Sequence, residues 1–294
     1  MRLRRVRGLL LASCLFVLPL CVGVDGASAW APESSATIHP GVMTFTNASS
    51  FLGGASQCTA NFVFTDASGD VYLGQAAHCS STGEDTETNG CTTKSLPLGT
   101  KVYSGDLVNG GVQDGTLIGT LAYNSWIAMQ RAGERDPATC AYNDLALIEI
   151  AAGQVGKVNP TVPFWGGPDG LAAAVSKTGE QVYSYGNSIL RLGISALSPK
   201  TGVSLGEAEE SDGWSQELYT ATPGIPGDSG SGFMNAGGDA LGVLSTVEFA
   251  PVPASNGVGT LAKELAYANS ATGLGLKLAD GTTAFKAVPV PPAE

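Results

Sequence analysis

Two histidines, His39 and His78, are all that 294 residues contain. So few exclude the usual multi-histidine metal centres, and no H-E-x-x-H run is present for metal-dependent hydrolysis. No two cysteines have the C-x-x-C spacing of a zinc site. Charged residues are also scarce, at 14%, where an ordinary globular chain has about a quarter. Heptads, internal repeats and long low-complexity tracts are absent, which excludes coiled coils and solenoids. Helical periodicity is nearly absent too. One stretch carries it, TLAKELAYANSA at 260–271, where Leu261, Leu265 and Ala268 recur at helical spacing.

What is there is glycine, 40 residues, about twice ordinary usage, together with short runs of Tyr, Val, Thr and Ser. Such a composition indicates an all-β, turn-rich chain. CTANFVFTD (58–66) and VYLGQAAHC (71–79) flank ASGD as a hairpin would. DLALIEI (144–150), EQVYSYGN (180–187), QELYTAT (216–222) and ALGVLSTVEFA (240–250) are further strand candidates. GKVNPTVPFWGGPDG (156–170), rich in proline and glycine, is the natural crossing between two halves. Two antiparallel β units and one late helix are therefore expected.

The first 29 residues do not belong to either half. Arg2, Arg4, Arg5 and Arg7 precede an apolar stretch from Leu9 to Val24, and ASA at 27–29 is a small-x-small cleavage site. This is the pattern of a secretory signal peptide cut after Ala29; the apolar stretch is short for a membrane span and carries Pro19. Removing 1–29 takes away four of the 15 basic and one of the 26 acidic residues, leaving a net charge of −14. Nucleic acid and anionic membrane are poor partners for that surface. Of the six cysteines, Cys58, Cys79, Cys91 and Cys140 remain. An even count in an exported chain reads as disulfides, with three pairings open. The expected organisation is a signal peptide at 1–29, a first β unit at 30–157 and a second at 158–294.

One stretch raises a chemical question. GIPGDSGSGFM (224–234) surrounds Ser229 with four glycines. A serine hydroxyl is a weak nucleophile and needs a base, usually histidine. His78 sits at the end of an apolar run, in GQAAHCS. A Cys58–Cys79 bridge would tie that end to the neighbouring strand, closing a loop worth roughly 3 kcal/mol. A histidine base needs an acceptor on its other nitrogen, and Asp144 opens the apolar strand NDLALI. Glycine at 227 lets a backbone N–H turn toward a substrate oxygen, where negative charge would develop. Activity from such a set should fall as His78 takes up a proton on the acid side of neutrality.

AAHC around His78, NDLALI around Asp144 and GDSGSG around Ser229, in that order, resemble the chymotrypsin-like (trypsin-like) serine proteases, in particular the secreted bacterial members. The resemblance spans roughly residues 50 to 250. It implies two six-stranded antiparallel β-barrels with the site in the cleft between them. It implies a serine endopeptidase with Ser229 as nucleophile, His78 as base and Asp144 as orienting acid. The N–H groups of Gly227 and Ser229 would form the oxyanion hole, and Ser245 would flank Asp144. It implies no cofactor and no metal, a protein or peptide substrate, and a secreted monomer.

The chain departs from the animal members of that family. No IVGG-like activation sequence follows the signal, so Asp228 needs another partner, an arginine or lysine. Ile225 stands where a cysteine is usual. Pro223, not an acid, stands at the base of the specificity pocket, six residues before Ser229, which argues against a preference for Arg or Lys. Val247 stands where many relatives have glycine and would narrow the pocket toward small or apolar side chains. An α/β-hydrolase reading fails, since position 231 is Ser and no histidine follows Ser229. EDTETNG (84–90) alternates acids as calcium loops do, but Leu96 at the twelfth position excludes an EF-hand. The rival from another class is a catalytically inactive secreted binding protein on the same fold.

Overall fold

A computed structural model describes residues 30–49, 56–83, 88–105, 107–108, 111–112, 115–247 and 252–289. The signal-peptide expectation and residues 84–87 of the acidic loop lie outside the described residues. The chain forms strands β1 (Met43–Thr46), β2 (Ser56–Thr59), β3 (Val63–Thr65), β4 (Val71–Ala76) and β5 (Lys101–Gly105). A small hairpin, β6 (Leu107–Val108) and β7 (Gly111–Val112), precedes β8 (Thr116–Asn124) and β9 (Leu145–Ile150). The remaining strands are β10 (Gly170–Leu171), β11 (Gln181–Tyr185), β12 (Pro199–Glu207), β13 (Ser215–Thr220), β14 (Gly232–Met234), β15 (Asp239–Val247), β16 (Asn256–Thr260) and β17 (Lys277–Leu278).

Apart from β6 and β7, which pair only with each other, these strands make two sheets. The first runs β17-β3-β4-β9-β8-β5-β1-β2. The second runs β15-β14-β11-β12-β13-β16 and closes on itself, because β16 also pairs with β15; β10 joins β15 in parallel. The second sheet is a closed six-stranded barrel, as expected; the first has eight strands and stays open as a half-barrel, and with few helices and one late helix this matches the chymotrypsin-like two-barrel fold. The proline- and glycine-rich segment 156–170 leads from the first sheet to the second. Trp165 is buried within that segment, and its indole N–H donates to the Ser184 carbonyl of β11 (2.7 Å).

Burial follows strand position. β4 lies between β3 and β9, and all six of its residues are buried. In β9, LALIEI, only Glu149 reaches solvent. The run expected as one strand at 58–66 is split, because the Asn61 side chain accepts its neighbour Phe62's N–H (2.7 Å) and bends the chain. Gly74 makes room for that bend: a Cβ there would fall 1.9 Å from Asn61 Oδ1.

Three helices are present among the described residues: α1 (Ser125–Ala132), α2 (Pro137–Tyr142) and α3 (Leu261–Thr272). Asn124 caps α1 by accepting the Ile127 N–H, and Asp136 caps α2 by accepting the Thr139 N–H, with Pro137 at the first helical position. The late helix expected at 260–271 is α3, ended by Gly273 at φ 69°. Its buried face is Leu261, Glu264, Leu265 and Ala268, packed among Leu145, Leu147 and Val243 of the two sheets. No helix among the described residues is long and apolar enough to cross a membrane.

Of the three possible pairings, the cysteines adopt Cys58–Cys79 and Cys91–Cys140. The second closes a separation of 49 residues and ties Cys91 to α2. In the chain-entropy account a loop of that length is worth about 4 kcal/mol. The double variant C91S/C140S should therefore lose about that much unfolding free energy in urea titration. A loss below about 1 kcal/mol would show that the bridge constrains little of the unfolded chain.

Candidate active site

β4 ends at Ala76, and the chain turns through a single 3₁₀ turn, 77–80, that carries His78. The turn is pinned on three sides. Cys79 is bridged to Cys58 of β2. The Ala77 N–H donates to the Asp144 carbonyl (2.8 Å), and the Ala77 carbonyl accepts from Asn124 Nδ2 (3.0 Å). The imidazole is left 26% exposed, whereas the Asp144 side chain is 3% exposed.

Asp144 lies between α2 and β9. Its Oδ1 accepts the His78 backbone N–H (2.9 Å); its Oδ2 lies 2.7 Å from His78 Nδ1 and accepts the Ser245 hydroxyl (2.6 Å). Three donors thus converge on one buried carboxylate, which offsets the cost of taking it out of water. With Asp144 as acceptor, the proton belongs on Nδ1 and His78 Nε2 is the basic atom.

Ser229 is presented by a turn that only glycine permits. Gly227 has φ +96°, and a Cβ there would fall 2.2 Å from Gln57 Oε1. Its carbonyl accepts from Gln57 Nε2 (2.9 Å) and Thr59 Oγ1 (2.8 Å). Gly230 has φ +86°, and a Cβ there would meet Thr59 O at 2.7 Å and Ala76 N at 2.8 Å. The Thr59 N–H donates to the Ser229 carbonyl (2.8 Å). The turn is therefore pressed onto β2 and onto the end of β4, two residues before His78. The Pro226 carbonyl is drawn inward by the buried Ser188 hydroxyl (2.5 Å). A trans peptide sets its C=O and N–H on opposite sides, so the Gly227 N–H is directed away from Ser188.

Beneath the turn, Asp228 is fully buried, with Arg191 Nη2 at 2.5 Å and Lys200 Nζ at 2.8 Å. The partner expected to be an arginine or a lysine is both. Burial, helped by the Arg191 charge, pulls Lys200 below its ordinary pKa, against the opposing pull of Asp228. Lys200 Nζ also donates to the carbonyls of Pro223 (2.8 Å) and Thr222 (3.2 Å), so it is spent on the wall that carries Pro223. That wall is held from the other side by Asn256, whose Oδ1 accepts the Gly224 N–H (2.8 Å). Val247 pairs with Asn256 across β15 and β16. A Cβ on Gly224 would lie 3.4 Å from Val247 Cγ2 and 3.2 Å from Leu244 Cδ2, so the walls beside Pro223 and Val247 stand close together.

Sequence reasoning missed Glu264. It is fully buried on α3, and its Oε1 accepts the Asp144 backbone N–H (3.0 Å). Burial pushes its pKa up to about 8; the hydrogen bond from Asp144 opposes that rise and the Asp144 charge adds to it. The signal was available, since position 264 falls on the apolar face of the one periodic stretch. His78 also lies with Cys58 and Cys79 in a group whose ligand atoms are all within 4.8 Å of one another. Both sulfurs are spent in the disulfide, so the group has no thiolates to offer a metal. His39 lines a cleft of ≈ 720 Å³ together with Arg191, Tyr185 and Phe164. Its Nδ1 is 2.7 Å from the Pro40 carbonyl.

No protein-family model matches the chain, and no curated protein matches it either. Among solved structures, the chain is similar to Thermobifida fusca protease A at 18% identity, over 83% of this chain and 99% of that one, with a TM-score of 0.49. It is similar at 18% identity to a glutamic acid specific serine protease that uses a histidine triad in substrate binding (82% of this chain, 100% of that one, TM-score 0.47). It is also similar to Cellulomonas bogoriensis chymotrypsin, at 17% identity over 83% of this chain and 98% of that one, with a TM-score of 0.44.

Proposed function

We propose that this chain is a secreted serine endopeptidase, acting as a monomer and without a cofactor. One observation supports the reading: the buried Asp144 carboxylate is held by His78 and Ser245, and the glycine turn that carries Ser229 packs against Ala76, two residues before His78. Ser229 Oγ attacks the carbonyl carbon of a peptide bond as its proton passes to His78 Nε2. Asp144 holds the Nδ1 proton and stabilises the imidazolium that forms. The oxyanion is met by the N–H groups of Gly227 and Ser229. His78 then gives the proton to the departing amine, which leaves an ester on Ser229. Water, deprotonated by His78, releases the acid and restores the hydroxyl. Pro223 at the pocket base and Val247 close to Gly224 favour a small or apolar side chain before the cut and disfavour Arg and Lys.

The test is a serine-directed phosphonate carrying an alanine-like side chain. It should label Ser229 alone, and the labelling rate should fall as the pH drops through the acid side of neutrality, because protonated His78 cannot take the serine proton. A chain that stays unlabelled, or labels at an unchanged rate from pH 5 to 8, is not this enzyme. A peptide library should return cuts after small or apolar residues; cuts concentrated after Arg or Lys would overturn the pocket assignment.

A further inference from the structure

We propose that Glu264, in the late helix α3, is the positioning residue of the triad, a carboxyl that fixes Asp144 from behind by accepting its backbone N–H. The inference rests on the serine endopeptidase reading given above, and its experiment separates the two.

Asp144 is held by five hydrogen bonds. Its carboxylate takes the donors of His78 and Ser245, and its carbonyl takes the Ala77 N–H. The remaining group is its own N–H, at the junction where α2 ends and β9 begins. That N–H has no strand partner to supply an acceptor, and the acceptor comes instead from α3, 120 residues later. A buried N–H left without one would shift the backbone that aims the carboxylate.

The acceptor has been placed at a cost. A carboxyl on the apolar face of α3 is surrounded by Leu261, Leu265 and Ala268, and its second oxygen, Oε2, is buried with no hydrogen-bond partner. The first turn of a helix favours an acid, yet the hydrogen bond that Glu264 makes is to the Asp144 N–H. Gly259 makes room for it: a Cβ at that position would fall 2.5 Å from Glu264 Oε1.

The charged and titratable groups that face Glu264 are few. Asp144 precedes β9, with His78 beyond it. Tyr123 of β8 is buried, and its hydroxyl feels the Glu264 charge. On β9, Glu149 is exposed. On α3 itself Lys263 and Tyr267 lie outside the buried face. Among the described residues no cation is placed to keep Glu264 ionised, and burial holds it neutral up to about pH 8. His78 thus has one negative charge behind it, that of Asp144, rather than two. Ionisation of Glu264 would place a second negative charge behind Asp144 and alter the field at His78 Nδ1–H.

Two variants and one spectroscopic signature test this. E264L removes the acceptor, and kcat should fall about tenfold or more with KM unchanged, the size expected for stranding one buried N–H. E264Q restores a neutral acceptor at the same reach and should recover the rate to within about threefold. The low-field proton resonance of His78 Nδ1–H, followed by NMR in the S229A background, should shift with an inflection near pH 8 in the parent. E264Q should abolish that inflection. The proposal is overturned if E264L matches the parent, if E264Q is as slow as E264L, or if the inflection persists in E264Q. Should E264L fail to fold, the E264Q resonance still decides. If the parent resists the phosphonate, the endopeptidase reading fails, and the resonance still reports whether Glu264 addresses Asp144.

Discussion

Replacing Ser229 by alanine should lower kcat/KM on peptide substrates by roughly four orders of magnitude or more, with folding left intact. Both halves of that expectation come from the same turn. The contacts that seat residue 229 run through its backbone: its carbonyl accepts the Thr59 N–H, and the flanking Gly227 and Gly230 fit the surface of β2 and β4. The hydroxyl can go without disturbing them. Replacing His78 by alanine should cost about as much, because a serine without its base is nearly inert. The diagnostic result is the double variant. Residues that act as one unit are strongly non-additive, so S229A/H78A should be no slower than either single variant. Thermal unfolding should move little for S229A. An S229A protein that keeps more than about one percent of the parent rate would remove Ser229 as nucleophile.

Much of this site was legible in the sequence because its parts are local. The glycines around Ser229 mark a turn that side chains would block, and the distances at Gly227 and Gly230 show the blockage directly. His78 at the end of an apolar run and Asp144 at the start of another are sequence facts, and β4 and β9 are neighbours in the first sheet. Less legible was anything set by a partner far along the chain. The expected strand at 58–66 is two strands, because one asparagine side chain competes with the ladder. The run read as strand-like at 71–79 ends as a strand at Ala76, and His78 sits just past that end on the 3₁₀ turn, as expected. Helices α1 and α2 are too short to build periodicity; only their caps, Asn124 and Asp136, could have announced them. Glu264 was passed over because one acid in an apolar stripe looks like noise until its acceptor role appears 120 residues away.

The second large effect lies beneath Ser229 and is one of stability. Asp228 is a single anion between two buried cations, Arg191 and Lys200. Replacing it by asparagine keeps the shape and removes the charge that both were buried to meet. Breaking one member of such a group costs about 3–5 kcal/mol, because the charge left behind is neither hydrated nor paired. Here two are left, and they repel each other. D228N should therefore lose at least that much in urea unfolding, and its activity should fall with it. Asp228 also holds the turn itself, since its Oδ2 accepts the Ile225 N–H (3.2 Å). Lys200 offers the control. K200M keeps the Arg191–Asp228 pair and loses the bonds to the Thr222 and Pro223 carbonyls, so it should be milder than D228N. In the combined D228N/K200M variant one buried cation remains rather than two, and part of the stability lost in D228N should return. Charge balance predicts that recovery, whereas a purely steric role for Asp228 predicts that the two losses add. If D228N stays within about 1 kcal/mol of the parent, the ion group does not anchor the turn that carries Ser229.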